Sequence, residues 1–579
     1  MIKRKEKRLL GVLVGLWAVG ISMALLYHFQ PVNLPITKRE NLQPIQNDLP
    51  IITEKVSFEN NKYGDYLVGL IAQRNQDYDK TTASFIQALN LDKENKKLKQ
   101  TVYLLKAVRG EMEEAIRLAQ DLNDQAEPEL LTDYVLIAEA LKNKDYQLAD
   151  KLLFSKPVYG PDNVLRPVLK AWILAGQGKR QEAEKELADL ENENMDSLLA
   201  YYRALLALHF NDKETAKIQL QKMSDLSQNG YPSLTALIIL HDFYQREGIW
   251  QNGNPDYERF KVLLNKTPAV RDILKGIEAP SEITPQIGVA IAFYDISVAL
   301  APLKIEETCL IFNETALFLY PTAMTPKIWG GELMEQAGNY MAANHIYDRI
   351  PVQSSLIKLK KAMNLIAANK YKDSIFLLKQ LVAETPQDAY IHLLLGDSYT
   401  EIKNHEQAIQ SYQKAGKLFK ENNSKKEASH AFLALGSVYD VEKQKRLAET
   451  SLLEAIRLSP NNPQALNYLG YLWLDEGKNI EEAFQMVKKA SELAPEDPNI
   501  MDSLAWGYYL KKDYQKALDL AEKSTDMISF SSVAYSHLGD IYSALGRKRE
   551  AKYQYRKALD LTADMTPELK AELEQKLSR

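Results

Sequence analysis

The sequence predicts an all-α solenoid, a superhelix of stacked helical hairpins standing behind one N-terminal transmembrane helix. Three observations carry this expectation. First, one pattern recurs between Ala428 and Leu561: Gly436, Gly470, Ala505 and Gly539 lie 34, 35 and 34 residues apart, each directly after a leucine. A fixed period of this length marks a repeat architecture. Second, each unit carries two stripes of helical spacing, such as Leu435, Gly436 and Tyr439, then Ala448, Leu452 and Ala455. Residues three, four and seven apart fall on one helix face. Third, Leu9 to Phe29 is an uncharged run of 21 residues, and about 20 such residues span a bilayer as a helix.

The N-terminal residues set the expected topology. Residues 1–8 hold Lys3, Arg4, Lys5, Lys7 and Arg8, against only Lys38 and Arg39 just beyond the apolar run. The positive-inside rule keeps such an N-terminus in the cytoplasm and the bulk of the chain across the membrane. Residues 9–29 are therefore expected to be a signal anchor in the inner membrane of a bacterium, with the solenoid on the periplasmic side. A cleaved signal peptide ending near Ser22–Met23–Ala24 is the alternative, but Leu25 to Phe29 continues the apolar run past that site. Residues 30–57, with Pro31, Pro35, Pro44 and Pro50, read as an extended tether.

Degenerate hairpins are expected over residues 58–225. Turns fall at Gly110, Asn143–Lys144–Asp145, Gly176–Gln177–Gly178 and Asn211–Asp212. Residues 226–287 break the rhythm with Gly230, Pro232, Gly248, Gly253, Pro255, Pro268, Pro280 and Pro285. They read as an irregular helical segment inside one superhelix, with a hinge between two halves as the alternative. Hairpins resume over 288–427 and become regular over 428–563. There Asn462–Pro463 and Asp497–Pro498 each place an N-cap before a proline at the first helical turn. Within 564–579, Pro567 to Leu577 reads as an amphipathic helix that caps the last apolar face.

The regular units resemble the tetratricopeptide repeat, a helix-turn-helix of this period with small residues at fixed places. The wording around Asn467–Trp473, Asp502–Tyr509 and His537–Asp540 also resembles poorly characterised tetratricopeptide proteins of alphaproteobacteria, membrane-anchored or secreted. The spacing departs once, with an extra residue near Asn479–Ile480, before Ala483. The resemblance implies a right-handed superhelix whose first helices line a concave groove. Carried over by position, the groove would present Tyr471, Trp506 and Tyr509 as an aromatic strip flanked by Asn467, Asp502 and Asp540. Aromatic anchors with a polar rim suit a protein-binding patch. The competing reading packs Trp506 and Tyr509 between neighbouring hairpins. The groove lacks the paired basic residues with which chaperone-binding members clamp a carboxylate, which favours a neutral or basic segment.

Composition narrows the function further. Charge is nearly balanced, with 72 basic and 77 acidic residues, so nucleic acid is not an expected partner. The eight histidines are scattered and Cys309 is the only cysteine, which gives no metal-ligand spacing. No phosphate loop or nucleophile elbow occurs. No catalytic residue, cofactor, metal or small-molecule substrate is expected. The reading is a scaffold that binds a protein or peptide, in envelope assembly or maintenance. The alternative is an accessory subunit or cryptic enzyme of the envelope, with His241, Asp242, Asp256 and Glu258 in the irregular segment.

Overall fold

The structure is a computed structural model that describes residues 62–74, 78–122, 131–154, 162–188, 196–226, 233–248, 279–351, 354–528, 531–562 and 565–578. The expected basic N-terminus (1–8), anchor (9–29) and tether (30–57) lie outside the described residues, as do residues 249–278 of the irregular segment. Among the described residues all regular structure is helical, with one 3-10 turn at Ala301–Leu303. The chain divides into two compact units, Met1–Ile357 and Lys358–Arg579. The division falls inside the stretch 288–427 that the sequence reads as one series.

The hairpin turns share one device. In the turn between Thr132–Lys142 and Tyr146–Leu153, Lys144 takes a left-handed φ of 58°. This lets the Asp145 N–H reach back to the Ala140 carbonyl at 2.8 Å. The Asp145 side chain then accepts from the Leu148 N–H and caps the next helix. One three-residue turn thus satisfies orphan groups of two helices. Asn339 and Asn404 do the same, each bonding backward through its N–H and forward through its side chain.

In the first unit, five hairpins run from Lys62 to Leu226, followed by the helix Leu234–Arg246. The next pair, Pro285–Leu300 and Glu306–Leu319, is the main departure from the expected order. It does not simply resume the stack. Pro285–Leu300 packs on Asp162–Gly176, Thr132–Lys142 and Asp196–His209, and Glu306–Leu319 packs on Lys96–Val108 and Thr132–Lys142. These are the first helices of earlier hairpins, so the pair fills their inner side. The cause is in the residues: Gly288 to Leu300 is apolar on every face apart from Asp295 and Ser297. A helix with no polar face must be buried. It is also the one described helix long and apolar enough to cross a membrane, but it is mostly buried inside the protein.

Close approach makes this filling possible. Trp172 is 2% exposed and lies flat on Gly288. A β-carbon at Gly288 would stand 2.1 Å from the indole ring. Polar bonds tie the inserted pair at several points. Tyr202 donates to Asp295 at 3.0 Å, Gln286 to the Leu141 carbonyl at 3.1 Å, and Trp329 to Ser297 at 2.9 Å. Cys309 is buried in the same core, and burial pushes its thiol up to about 12, so it is unreactive.

The second unit is the regular array. From Ala389 its hairpins are Ala389–Glu401 with His405–Glu421, Lys425–Val441 with Lys445–Leu458, and Pro463–Asp475 with Ile480–Leu493. Pro498–Leu510 with Tyr514–Met527 and Ser532–Ala544 with Lys548–Asp560 follow, then the single helix Pro567–Ser578. Asn462 and Asp497 cap as their sequence implies, each accepting from two backbone N–H groups while proline takes the first helical position. Ala448, Ala455, Ala483, Ala490, Ala517, Ala521 and Ala558 are fully buried where the helices of a pair meet. The extra residue before Ala483 is absorbed by two left-handed residues, Gly477 and Asn479.

Candidate functional site

The sequence-predicted residues lie on three successive first helices of the second unit. Asn467 and Tyr471 come from Pro463–Asp475, Asp502, Trp506 and Tyr509 from Pro498–Leu510, and Asp540 from Ser532–Ala544. The same helical position is used each time, since Tyr471, Trp506 and Asp540 are 35 and 34 residues apart.

Four of the six gather around a residue not singled out from the sequence, His537. Its ring stacks on Trp506, with centroids 4.3 Å apart and planes 16° from parallel. Trp506 stacks in turn on Tyr509 at 4.7 Å, and Tyr471 leans on His537 at 5.9 Å. The His537 Nδ1 is 2.9 Å from Asp502 Oδ2. Burial disfavours the imidazolium, but Asp502, with Asp540 and Asp475 behind it, outweighs burial and raises the His537 pKa above its ordinary value. Trp506 therefore packs on the neighbouring hairpin through His537 and is only partly exposed. The signal for His537 lay in pairing: it occupies the hairpin after Asp502, 35 residues on, where two first helices face each other.

The remaining two residues stand apart from that stack. Asp540 accepts from Tyr555 at 2.8 Å and pairs with Lys576 at 2.7 Å. No hydrogen-bond partner meets Asn467 Oδ1, Asp502 Oδ1 or Trp506 Nε1, although all three atoms are buried. Asp502 itself is only 7% exposed. A buried acceptor without a donor costs free energy, so Asn467 and Asp502 each carry an unmet hydrogen-bonding demand. Burial, reinforced by Asp475, Asp502 and Asp440, holds the Tyr471 hydroxyl well above its ordinary range. Tyr471 is thus a neutral hydrogen-bonding group at any physiological pH. The wall is aromatic, acidic and rich in acceptors, which suits a cationic or hydrogen-bond-donating guest.

The residues of the alternative enzyme reading do not form a site among the described residues. His241 contacts Gln245 one turn away, and Asp242 pairs with Arg246 at 2.8 Å on the same helix. Asp256 and Glu258 lie outside the described residues. The first unit holds a separate cavity of about 390 Å³, lined by Gly110, Glu114, Arg117, Lys142, Glu314 and Arg349 among others. Burial pushes the Glu314 carboxyl up to about 7, with Arg349 pulling the other way.

These features define a helical-hairpin repeat protein with an aromatic and acidic wall on its first helices. Within its second unit, models of the tetratricopeptide repeat match residues 365–423, 433–498 and 533–565. The chain is 28% identical over 196 residues to a TPR repeat-containing protein of Pseudomonas aeruginosa, covering 33% of this chain and 31% of that one. It is 24% identical over 180 residues to the human cell division cycle protein 16 homolog, covering 30% and 28%. The matches thus span about a third of the length of these curated relatives. Among solved structures, a chain of the APC/C hetero-tetramer Cut9-Hcn1 is similar at a TM-score of 0.37 and 15% identity, covering 90% of this chain and 96% of that one. YrrB, a TPR protein with an unusual peptide-binding site, is similar at 0.26 and 20% identity, covering 34% and 97%. At such scores neither likeness bears on what this chain binds.

Proposed function

We propose that this chain is a membrane-anchored tetratricopeptide scaffold that holds a protein segment against the first helices of its second unit. Residues 9–29 would anchor it in the bacterial inner membrane, with the repeats on the periplasmic side, in envelope assembly or maintenance. Its role is presentation rather than catalysis. Repeat arrays form extended concave binding surfaces, and a preformed wall limits the ordering cost of binding.

The observation that carries this reading is the Tyr471–His537–Trp506–Tyr509 stack, with Asp502 against His537, built from three successive first helices. The guest is an extended or helical segment, neutral or basic. The test is photo-crosslinking in cells from position 475, which is exposed at the rim of the stack, followed by mass spectrometry. One dominant protein adduct, lost when Tyr471 and Asp502 are changed to alanine, is the expected result. Absence of any adduct from a folded, membrane-bound chain would overturn the reading. Alkali extraction and protease access from the periplasm test the anchor and its orientation in the same cells.

A further inference from the structure

The helix Pro567–Ser578 does more than cover the end of the array. Lys576 pairs with Asp540 in a largely buried contact at 2.7 Å. One turn earlier, Glu572 pairs with Lys576 at 2.6 Å; behind burial, its charge adds a little to the raised pKa of Asp475. One turn earlier again, Glu568 meets Lys443 at 3.3 Å. Leu573, between these points, is fully buried in a cluster against which Tyr509 packs. Residues four apart share one helix face. The helix packs mainly on Lys548–Asp560, and this face reaches from there to the first helices 532–544 and 498–510 and to the turn after 425–441.

The fit is good at one end and poor at the other. Lys576 matches Asp540, and its stem lies 5.5 Å from the Tyr555 ring. Glu572, however, brings a carboxylate, paired with Lys576 at 2.6 Å on its own helix, within electrostatic reach of Asp475, in a wall that also holds Asp502 and Asp440. The acceptors Asn467 Oδ1 and Asp502 Oδ1 receive no donor from this helix. An isolated helix of 12 residues is marginal in water, so the segment is held by its docking alone.

We propose that Pro567–Ser578 is a self-ligand occupying the groove, and that the partner displacing it is a basic amphipathic helix. That partner would carry an apolar residue in the place of Leu573 and lysine or arginine in the places of both Glu572 and Lys576. The proposal rests on the groove being the binding surface, and it adds the chemistry of the partner and the competitor that controls access. When the binding-competent state is only a fraction of molecules, apparent affinity falls by that fraction.

The test uses the full-length chain and fluorescent peptides with the sequence of residues 565–579. Lys576→Glu in the chain places a carboxylate against Asp540 and undocks the helix, and Leu573→Ala is a second route to the same state. The peptide is expected to bind either variant at least about tenfold tighter than the unaltered chain. A peptide with Glu572→Arg is expected to bind tighter still, and one with Lys576→Glu to lose binding. Equal affinities for all three chains would overturn the proposal, as would a peptide preference for glutamate at 572. An unaltered chain that sediments as a dimer, dissociated by Lys576→Glu, would put a second copy's helix in the groove and also overturn it. The crosslink from position 475 separates the two claims. A partner adduct of equal yield in the unaltered and Lys576→Glu chains leaves the scaffold standing and overturns the self-ligand; a higher yield in the variant supports both.

Discussion

The two units solve the same problem in opposite ways. Each is a run of hairpins whose first helices leave an inner face to cover. In the first unit that face is filled by Pro285–Leu300, which is apolar almost throughout, and by Glu306–Leu319, which is buried from Cys309 to Leu317. In the second unit the covering element is the single polar helix Pro567–Ser578, of which only Leu573 is buried. A filled groove is core, and removing its contents means unfolding. A groove covered by a segment with one fully buried leucine, three partly buried apolar side chains and a few ion pairs can open while the hairpins stay folded, because local stability follows local burial.

This comparison can be broken in several ways, with effects that descend in size. Trp172→Ala should cost about 3–5 kcal/mol in the first unit, the range for a large aromatic removed from a core. Urea denaturation followed by tryptophan fluorescence checks this, and peptide binding by the second unit should be unchanged. Next is Asp295, whose carboxyl burial pushes up to about 7. The folded state then binds more protons than the unfolded state between roughly pH 4 and 7. Stability from this group is greatest at low pH and is lost as pH rises across that window. Asp295→Asn should keep the Tyr202 bond and stabilise the first unit by about 1–3 kcal/mol at pH 8.

The histidine of the second unit acts in a different window. Its pKa is raised, so its contribution is fully present below about pH 6.5 and is lost as pH rises through the folded value. The denaturation midpoint of the second unit should fall as pH rises from about 6 to 9, and His537→Gln should flatten that slope. NMR titration of the His537 ring reads the same shift directly. The smallest global effect belongs to Leu573→Ala. Although Leu573 is fully buried, its loss should change overall unfolding by less than about 1 kcal/mol, because the helix can detach alone. Circular dichroism melts check the global effect.

Much of the second unit was legible because its grammar is local. Gly436, Gly470 and Gly539, and the caps Asn462 and Asp497, each act within one hairpin or between immediate neighbours. The repeat register also gave Tyr471, Trp506 and Asp540 one recurring position on successive first helices. The register does not single out His537, whose role depends on a partner in the preceding hairpin and on the charge of Asp475 and Asp540 around it. The first unit was less legible for a related reason. The stretch 288–300 reads as helix from its spacing, but nothing local says which helices it meets. Its lack of a polar face was the available sign, and it states that the helix is buried without saying where. The return of Pro567–Ser578 along the array was likewise invisible, since a cap and a self-ligand share one amphipathic pattern.

The most direct test of the contrast is hydrogen exchange by mass spectrometry on the full chain. Amides of Pro285–Leu300 should exchange only with global unfolding of their unit. Those of Pro567–Ser578 should exchange at least about a hundredfold faster, through local opening, and faster again in Lys576→Glu. Protection of Pro567–Ser578 equal to that of Pro285–Leu300, and insensitive to that substitution, would contradict the account: the second groove would then be as permanently filled as the first.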